Sequence, residues 1–276
     1  MILATHGIVG SQIVQFTSGL LDTYTGAAAA YSLRKLRVGY TGSAIRVRRA
    51  SDNTEQDIGF SGENLNTSSL TSFCSGTNGF VTKWYDQSGN GYDATQSTAA
   101  NQPQIVSSGS VLLQGTKPTL QFDGVNDFMD ASSVTTGNPK SIFIPTKAIS
   151  LPPSEVVIFD SVTTNQALLY KAGNNVISIG FGTFTGTTYT ATTNFILYSI
   201  LHNGSTSNAF INSTNQILTN ANLGTNAFNG LRIGSVRGTA SLFYNGNIPE
   251  FIVWGSDEAT NRTGIETNIN DFYYIY

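Results

Sequence analysis

The sequence predicts an all-β protein, built as a β-sandwich or a jelly roll. Charged residues make up only 11 % of the chain, well below the ~25 % of ordinary soluble domains. The abundant Gly, Asn, Ser and Thr favour tight turns and exposed strand faces. Short apolar or alternating runs recur between such turns, with the spacing of sandwich strands. Because 39 % of the 276 residues are hydrophobic, the chain can bury a sizeable core.

Residues 1–25 are predicted to form an N-terminal arm outside the sandwich. Their apolar residues follow neither a helical nor a strict strand period, yet they are too many for a free tail in water. We expect this docking arm to bind another protein or to join identical chains, most simply as a trimer. Its apolar residues include Ile2, Leu3, Ile8, Val9, Ile13, Val14 and Phe16. Residues 26–276 are then one domain, because no linker, charge run or internal repeat divides them.

Two helices are predicted. Residues 26–38, GAAAAYSLRKLRV, contain four consecutive alanines, which favour helix. The C-terminal stretch TNRTGIETNINDFYYIY predicts a short amphipathic helix with Thr260 or a neighbour as its N-cap. Its apolar face consists of Ile265, Ile269, Phe272 and Tyr273.

The other segments with regular patterns are predicted to be strands. SAIRVRRAS alternates, GFVTKWYD runs into a turn, and PTLQFDGVNDFMDA alternates around Asp-Gly and Asn-Asp turn signals. Further strands are predicted at 141–144, 155–162, 167–171, 175–181, 195–201, 207–211, 230–234 and 248–254.

The charge and cysteine content exclude several classes of protein. A net charge of −3 argues against a nucleic-acid-binding protein, which normally carries a basic stripe. Arg46, Arg48 and Arg49 alternate with apolar residues and predict the polar face of a strand, with phosphate or acidic-glycan binding as the alternative. The single cysteine, Cys74, excludes an internal disulfide and is predicted to be a buried apolar residue.

No membrane partner is predicted. No run approaches the ~20 apolar residues of a membrane span, and the N-terminus lacks the basic region of a signal peptide. The sequence therefore predicts a protein made in the cytoplasm.

Four motifs resemble, in order, the catalytic domain of the B-type α-L-arabinofuranosidases. They are YTGSAIRVRRASD (40–52), FC (73–74), YDQSGNG (85–91) and PTLQFDG (118–124). Later motifs, LQFDGVNDFMD, FNGLRIGS and YNGNIPEFIVWGSDEATNRTG, resemble laminin-G-like and concanavalin-like lectin modules. Both resemblances imply a concanavalin-like jelly-roll β-sandwich.

The chain departs from the arabinofuranosidase pattern where that family carries its chemistry. The family's nucleophile lies beside a vicinal cysteine pair, in a C-C-F-D-Y-G-N-x-E context. The corresponding segment, VVIFDSVTTNQ, keeps Phe159 and Asp160 but has neither the cysteine pair nor the glutamate. Gly79 stands about where the family places a partner for Cys74. These departures predict that the activity is absent, so no catalytic residue is assigned.

The opening ATHGIVGS (4–11) resembles the starts of small virion proteins of tailed phages, especially the crAss-like phages. This resemblance implies a location in the virion. Capsid or tail proteins would then be the partners of the docking arm.

The stretch KWYDQSGNGYDA is interpreted as a structural turn in which Gly89 and Gly91 supply positive φ angles. One alternative is a calcium site formed by Asp86, Asn90 and Asp93; no other cofactor is predicted. A second alternative makes Asp86 and Asp93 a pair of catalytic carboxylates.

The FDGVNDF turn, with Asp123, Asn126 and Asp127, is also interpreted as structural, with a metal or sugar contact as the alternative. The histidines, His6 and His202, are too distant in the sequence to predict a catalytic triad or a metal pair.

Aromatic residues in polar loops are candidates for stacking on a sugar ring, with nearby amides and carboxylates binding its hydroxyls. The candidate glycan-binding residues are Tyr92, Tyr189, Tyr244, Asp93 and Asn90. Ordinary packing is the alternative for each tyrosine.

The sequence is compatible with three functions. The leading prediction is a non-enzymatic phage virion surface protein, a head or tail fibre or decoration that binds host-surface or environmental glycans. The alternatives are a free carbohydrate-binding module and a glycoside hydrolase of the α-L-arabinofuranosidase type.

Overall fold

The computed structural model describes residues 17–151, 155–161, 166–170, 176–237 and 241–276. Within these ranges the helices are α1 (Leu20–Thr23), α2 (Thr67–Phe73) and α3 (Arg262–Tyr273), with short 3-10 helices at Ala99–Asn101 and Gly204–Thr206. The strands are β1 (Ala27–Ser32), β2 (Ile45–Arg49), β3 (Glu55–Ile58), β4 (Phe60–Ser61), β5 (Asn64–Leu65), β6 (Gly79–Trp84), β7 (Ala94–Thr95), β8 (Gln104–Ser107), β9 (Ser110–Val111), β10 (Leu113–Gln114), β11 (Lys117–Pro118), β12 (Leu120–Asp123), β13 (Met129–Thr136), β14 (Lys140–Ala148), β15 (Val156–Ser161), β16 (Gln166–Tyr170), β17 (Val176–Phe181), β18 (Phe184–Thr190), β19 (Phe195–His202), β20 (Ser207–Ile211), β21 (Asn215–Ala221), β22 (Phe228–Ile233), β23 (Asn245–Ile248) and β24 (Glu250–Trp254). No helix of the described residues is long and apolar enough to cross a membrane.

The main strands form two antiparallel layers. The first layer has the order β3–β2–β6–β7–β13–β22–β15–β16–β17–β18. The second layer has the order β21–β20–β19–β14–β24–β1. Strands β8, β12 and β23 connect the layers, since β8 pairs with β6 and β12, and β23 pairs with β12 and β14. The predicted all-β sandwich is confirmed.

Aromatic pairs from opposite layers fill the main core. Phe159 of β15 and Phe251 of β24 have ring centroids 5.4 Å apart, and Trp84 of β6 and Tyr31 of β1 have centroids 5.9 Å apart. All four side chains are fully buried. Because each pair joins one layer to the other, these contacts hold the two inner faces together.

Helix α3 covers the other face of the second layer. Phe143, Ile252 and Trp254 of that face form a second core with Ile265 and Ile269 of the helix. This confirms the predicted C-terminal helix. Its N-cap is Asn261, the neighbour of the predicted Thr260, and no side-chain hydrogen bond caps it.

The helix predicted at 26–38 is wrong, because Ala27–Ser32 form strand β1. This strand pairs with β24 between the two cores, so that Ala29 and Tyr31 contact the main core and Ala30 contacts the second. The helix preference of alanine is worth only tenths of a kcal/mol per residue. Burial on both faces of a sheet outweighs it and favours a continuous apolar strand.

The eight strands predicted between residues 141 and 254 are found close to their predicted bounds. The structure also has elements that were not predicted, among them strands β3, β8, β18 and β21 and helix α2. Helix α2 begins after Asn66, whose side chain accepts a hydrogen bond of 3.0 Å from the backbone nitrogen of Ser69. Asparagine is a favoured N-cap for this reason.

All seven named residues of the docking arm, from Ile2 to Phe16, lie outside the described residues. The arm, its trimer and its partners therefore stay predictions. Within 17–25, Leu20 and Leu21 of α1 are buried in the second core with α3.

Strand β2 has the predicted polar face. Ile45 and Val47 are buried while Arg46 and Arg48 are only half-buried. Arg46 forms an ion pair of 2.7 Å with Asp57 on β3. Cys74 is buried as predicted, and burial raises the pKa of its thiol.

Candidate active site

A row of polar residues crosses the outer face of the first layer. Directly opposed residues of antiparallel strands point to the same face, so the strand registers place these side chains in line. In order across the strands they are Asp57, Arg46, Lys83, Thr95, Asp130, Arg232 and Asp160. Their chain neighbours Trp84, Met129 and Phe159 are buried in the main core. The row is therefore the side of the sheet that faces away from the core.

Arg232 lies at the centre of the most buried part of this row. Its Nε and Nη2 donate to the two carboxylate oxygens of Asp130, both at 2.8 Å. Its guanidinium carbon lies 3.8 Å from the ring centroid of Phe128. A bidentate ion pair held against an aromatic ring fixes the orientation of the Asp130 carboxylate.

Asp160 lies on the opposite side of Arg232, one strand farther. Two strand spacings separate Asp130 from Asp160, about 10 Å between their Cα atoms. The Oδ1 atom of Asp160 accepts the N–H of Ser161 and Oδ2 accepts the N–H of Arg237, both at 2.8 Å. Two carboxyl groups thus flank one arginine on a single face.

The Asp160 carboxyl is suited to hold a proton. Burial raises its pKa, against the opposing effects of its two backbone hydrogen bonds and of the charges of Arg232 and Arg237. The buried Nη1 atom of Arg237 has no hydrogen-bond partner among the residues that the structure describes. A carboxyl with a raised pKa near a second, ion-paired carboxylate is the combination that general acid catalysis requires.

The KWYDQSGNGYDA stretch forms the structural turn that the sequence predicts. Both oxygens of the buried Asp86 are occupied: Oδ1 accepts the N–H groups of Ala30 and Ser88, and Oδ2 accepts the hydroxyl of Ser88 and the N–H of Tyr92. Asp93 accepts the N–H of Asp86 and forms an ion pair of 3.2 Å with Lys83. The carboxylates therefore hold the turn together.

The calcium alternative at Asp86, Asn90 and Asp93 stays a prediction. The Nδ2 atom of Asn90 donates to the carbonyl oxygens of Ala27 and Ala28, which ties the turn to β1. Among the described residues, no group of three or more His, Cys, Asp or Glu side chains is placed to hold a metal ion.

Gly91 allows a direct test of the turn. Its φ is +76°, and a Cβ built there would meet no atom within 4 Å. We expect Gly91→Ala to lower the free energy of unfolding by about 1–2 kcal/mol, because only the left-handed backbone opposes the new methyl group. Gly59→Ala is the control, since its Cβ site is equally open and its φ is not in the positive range. Equal urea denaturation midpoints for the two variants would contradict the prediction.

The prediction that Tyr244 stacks on a sugar is wrong. Tyr244 is fully buried, and its hydroxyl lies 2.8 Å from the Oγ1 of Thr146. Its ring fills the main core and cannot contact a sugar. Tyr92 and Tyr189 are only half-buried, with one side of each packed on that core. Their role as glycan contacts, with Asp93 and Asn90, stays a prediction.

The FDGVNDF segment is a tight turn organised by Asp123. Its Oδ1 accepts the N–H groups of Val125 at 2.8 Å and Asn126 at 3.1 Å. Asp127 is buried, and its Oδ2 accepts the N–H of Asp123 at 3.0 Å.

Asp127 predicts a pH dependence of stability. Burial, with the charge of Asp123, raises its pKa from 3.8 to about 7. Between these values the folded chain binds a proton that the unfolded chain has released, so the free energy of unfolding falls as the pH rises from about 4 to about 7. We expect Asp127→Asn to remove this fall and to be more stable than the wild type near pH 8. Urea unfolding of the wild type and of Asp127→Asn between about pH 4 and pH 8 tests this prediction. The same dependence of the free energy of unfolding on pH in both proteins would refute it.

His202 belongs to a buried structural pair. Its Nδ1 lies 2.9 Å from the Nζ of Lys140, and its Nε2 lies 2.8 Å from the carbonyl oxygen of Gly224. Burial, then the charge of Lys140, lowers the pKa of His202 to about 4, and burial lowers that of Lys140 to about 7. His6 lies outside the described residues.

In the sequence, only a family resemblance points to Asp160, and nothing predicts a functional role for Asp130 or Arg232. Asp130 and Arg232 are 102 positions apart. Each lies in a motif that resembles lectin modules, LQFDGVNDFMD or FNGLRIGS, but neither motif pairs them, because only the register between β13 and β22 brings them together. An aspartate and an arginine at outward positions of two strands were the one available signal.

Comparison with known proteins supports the fold. Residues 21–128 match the family described as α-L-arabinofuranosidase B, catalytic. A GH54 α-L-arabinofuranosidase soaked with a cyclic sulfate inhibitor is similar with a TM-score of 0.70 and 15 % identity, over 91 % of this chain and 64 % of that one. An arabinofuranosidase complexed with arabinofuranosyl-α-1,2-xylobiose has a TM-score of 0.60 and 18 % identity over the same shares. This chain thus spans 64 % of the length of each. No curated protein matches it.

These comparisons overturn the prediction of a non-enzymatic phage virion protein. The matching family is defined by a catalytic domain, and the similar structures are arabinofuranosidases. They give no support to a phage origin. The prediction that the chain is not an enzyme is wrong on the same findings, and the alternative of an arabinofuranosidase-type glycoside hydrolase fits them better.

Proposed function

We propose that the chain is a glycoside hydrolase that removes α-L-arabinofuranosyl groups from glycans. The match of residues 21–128 to an arabinofuranosidase catalytic family and the similar sandwich fold support this class of reaction. The observation that carries the proposal is the pair of carboxyl groups, Asp130 and Asp160, on either side of Arg232.

Asp160 is the general acid in this proposal. Its buried carboxyl retains a proton to a higher pH than an exposed aspartate does. It gives that proton to the glycosidic oxygen as the bond to the anomeric carbon breaks, so that the departing sugar leaves as a neutral alcohol.

Asp130 supplies the second carboxylate, and Arg232 is its positioning residue. Glycosidases use such a carboxylate either to attack the anomeric carbon or to activate a water molecule. The bidentate contact with Arg232 holds the Asp130 carboxylate in a fixed orientation on this face. The cationic side chains of Arg232 and Arg237 also lie near the Asp160 carboxyl.

These roles rest on the geometry of this chain and not on a carried-over motif. The segment that resembles the family's nucleophile context has neither its glutamate nor its cysteine pair. A site composed of Asp130 and Asp160 therefore differs from the family's own arrangement.

The test is the release of 4-nitrophenol from 4-nitrophenyl α-L-arabinofuranoside. We expect a steady rate above the enzyme-free blank, with no release from 4-nitrophenyl β-D-galactopyranoside. Proton NMR of the first sugar released shows whether the anomeric configuration is retained or inverted. Binding of the arabinofuranoside without release at high protein concentration would refute hydrolysis.

A further inference from the structure

The side chain of Arg37 has no partner among the described residues. Its Nε atom is buried without a hydrogen bond. Its guanidinium lies against the turn that contains Gly89, where an added Cβ would be 3.1 Å from Nη2 and 3.3 Å from Nη1. A side chain at position 89 would displace the guanidinium, so the glycine leaves space for it, and no carboxylate of the described part of the chain forms an ion pair with it.

Asp22 lines the same pocket as Arg37, and Asp86 and Asp93 belong to the turn that contains Gly89, but other donors bind all three carboxylates. The Oδ2 of Asp22 accepts the N–H groups of Gly19 at 2.7 Å and Val38 at 2.8 Å. Asp86 accepts three hydrogen bonds from its own turn and one from Ala30 of β1, and Asp93 is paired with Lys83. Arg37 is therefore left available to an anion from outside the chain.

Arg37 lines an open pocket of about 370 Å³ together with Asp22, Gly39, Tyr40, Thr41 and Gly42. The ring of Tyr40 is held in place, because its hydroxyl donates to the carbonyl oxygen of Ser43 at 3.0 Å. Its other side packs edge-on against Phe60, with centroids 6.2 Å apart. The pocket thus combines an unpaired guanidinium with a fixed aromatic ring.

We propose that this pocket binds a uronic-acid residue of a glycan, with Arg37 holding its carboxylate. A guanidinium matches the two oxygens of a carboxylate in a bidentate fork, and an aromatic ring contacts the apolar face of a sugar. The proposal rests on the proposed function in that the ligand is part of a glycan. It adds a substrate class, an acidic glycan, and a recognition site separate from the Asp130–Arg232–Asp160 row.

The test is calorimetric titration of the full chain with methyl β-D-glucuronide and with methyl β-D-glucoside, which lacks the carboxylate. We expect the glucuronide to bind more tightly than the glucoside, and Arg37→Gln to weaken its binding at least about tenfold, since a hydrogen bond to a charged group is lost. Arg37→Lys keeps the positive charge but not the two-pronged donor geometry, so its affinity for the glucuronide is expected to lie between those of the wild type and Arg37→Gln. Lys147→Gln is the control, because it removes one positive charge from β14 on the second layer.

Several results would overturn the proposal. They are equal binding of the two sugars, wild-type binding by Arg37→Gln, or an equal loss in Lys147→Gln. Acetate and phosphate are titrated as well, and an affinity for either that equals the affinity for the glucuronide would show a general anion site. Melting curves of the variants identify any loss of folding.

The outcome is independent of hydrolysis. The aryl arabinofuranoside carries no carboxylate, so Arg37→Gln is expected to leave its turnover unchanged. Uronate binding without turnover of the arabinofuranoside would refute the proposed hydrolase activity and support the uronate site. Turnover without uronate binding would support the hydrolase activity and refute the uronate site.

Discussion

Asp160→Asn is expected to reduce the hydrolysis of arabinan oligosaccharides by about 10²–10⁴-fold, the usual contribution of a general acid. The amide keeps the size of the side chain and one acceptor oxygen, but it has no proton to give to the glycosidic oxygen. The loss should be smaller with 4-nitrophenyl α-L-arabinofuranoside, because nitrophenolate leaves without a proton. Rates on both substrates at equal protein concentration provide the measurement.

Asp130→Asn distinguishes the role of the second carboxylate from that of the general acid Asp160. A carboxylate that attacks the anomeric carbon or activates water is needed whatever the leaving group, so this variant should lose activity on both substrates alike. Asp57→Asn, at the far end of the same row, is the matched control and should retain wild-type rates. Wild-type activity of Asp160→Asn on arabinan, or a loss in Asp57→Asn as large, would place the chemistry elsewhere.

Glu250→Gln is expected to lower the free energy of unfolding by about 3–5 kcal/mol, because it leaves the buried Arg34 cation without a counter-charge. The two side chains are 0 % and 6 % exposed, and Arg34 Nε lies 2.8 Å from Glu250 Oε2. That oxygen also accepts the hydroxyls of Ser32 at 2.6 Å and Tyr273 at 3.3 Å. The carboxylate thus ties β1 and α3 to β24.

Asp57→Asn is the control for this variant too, because it breaks an ion pair of similar length at the surface. The side chains of Arg46 and Asp57 are 41 % and 39 % exposed, so the loss should stay below about 1 kcal/mol. Adding Arg34→Met to Glu250→Gln should cost much less than the sum of the two single changes, since neither charge is then left buried alone. Urea unfolding of the four variants measures these differences. Similar losses in Glu250→Gln and Asp57→Asn would show that burial does not strengthen the Arg34–Glu250 pair.

Several features of this protein follow from its sequence alone because their causes are local. Alternating residues such as Ile45 and Val47 define a strand with one buried face. The spacing of Ile265 and Ile269 defines the buried side of α3. The glycine at position 91 marks a turn, since its φ of +76° strains any other residue.

Other features were decided only by the tertiary structure. The four consecutive alanines form a strand, not a helix, because β1 is buried on both faces. The side chain of Tyr244, which the sequence places in a polar loop, is buried in the main core. Arg34 and Glu250 are 216 positions apart and meet only through the pairing of β1 with β24. The Asp130–Arg232–Asp160 row depends likewise on the registers of three strands that are distant in the chain. A shift of one residue in any of these registers would turn its side chain to the opposite face, and no short stretch of sequence encodes that choice.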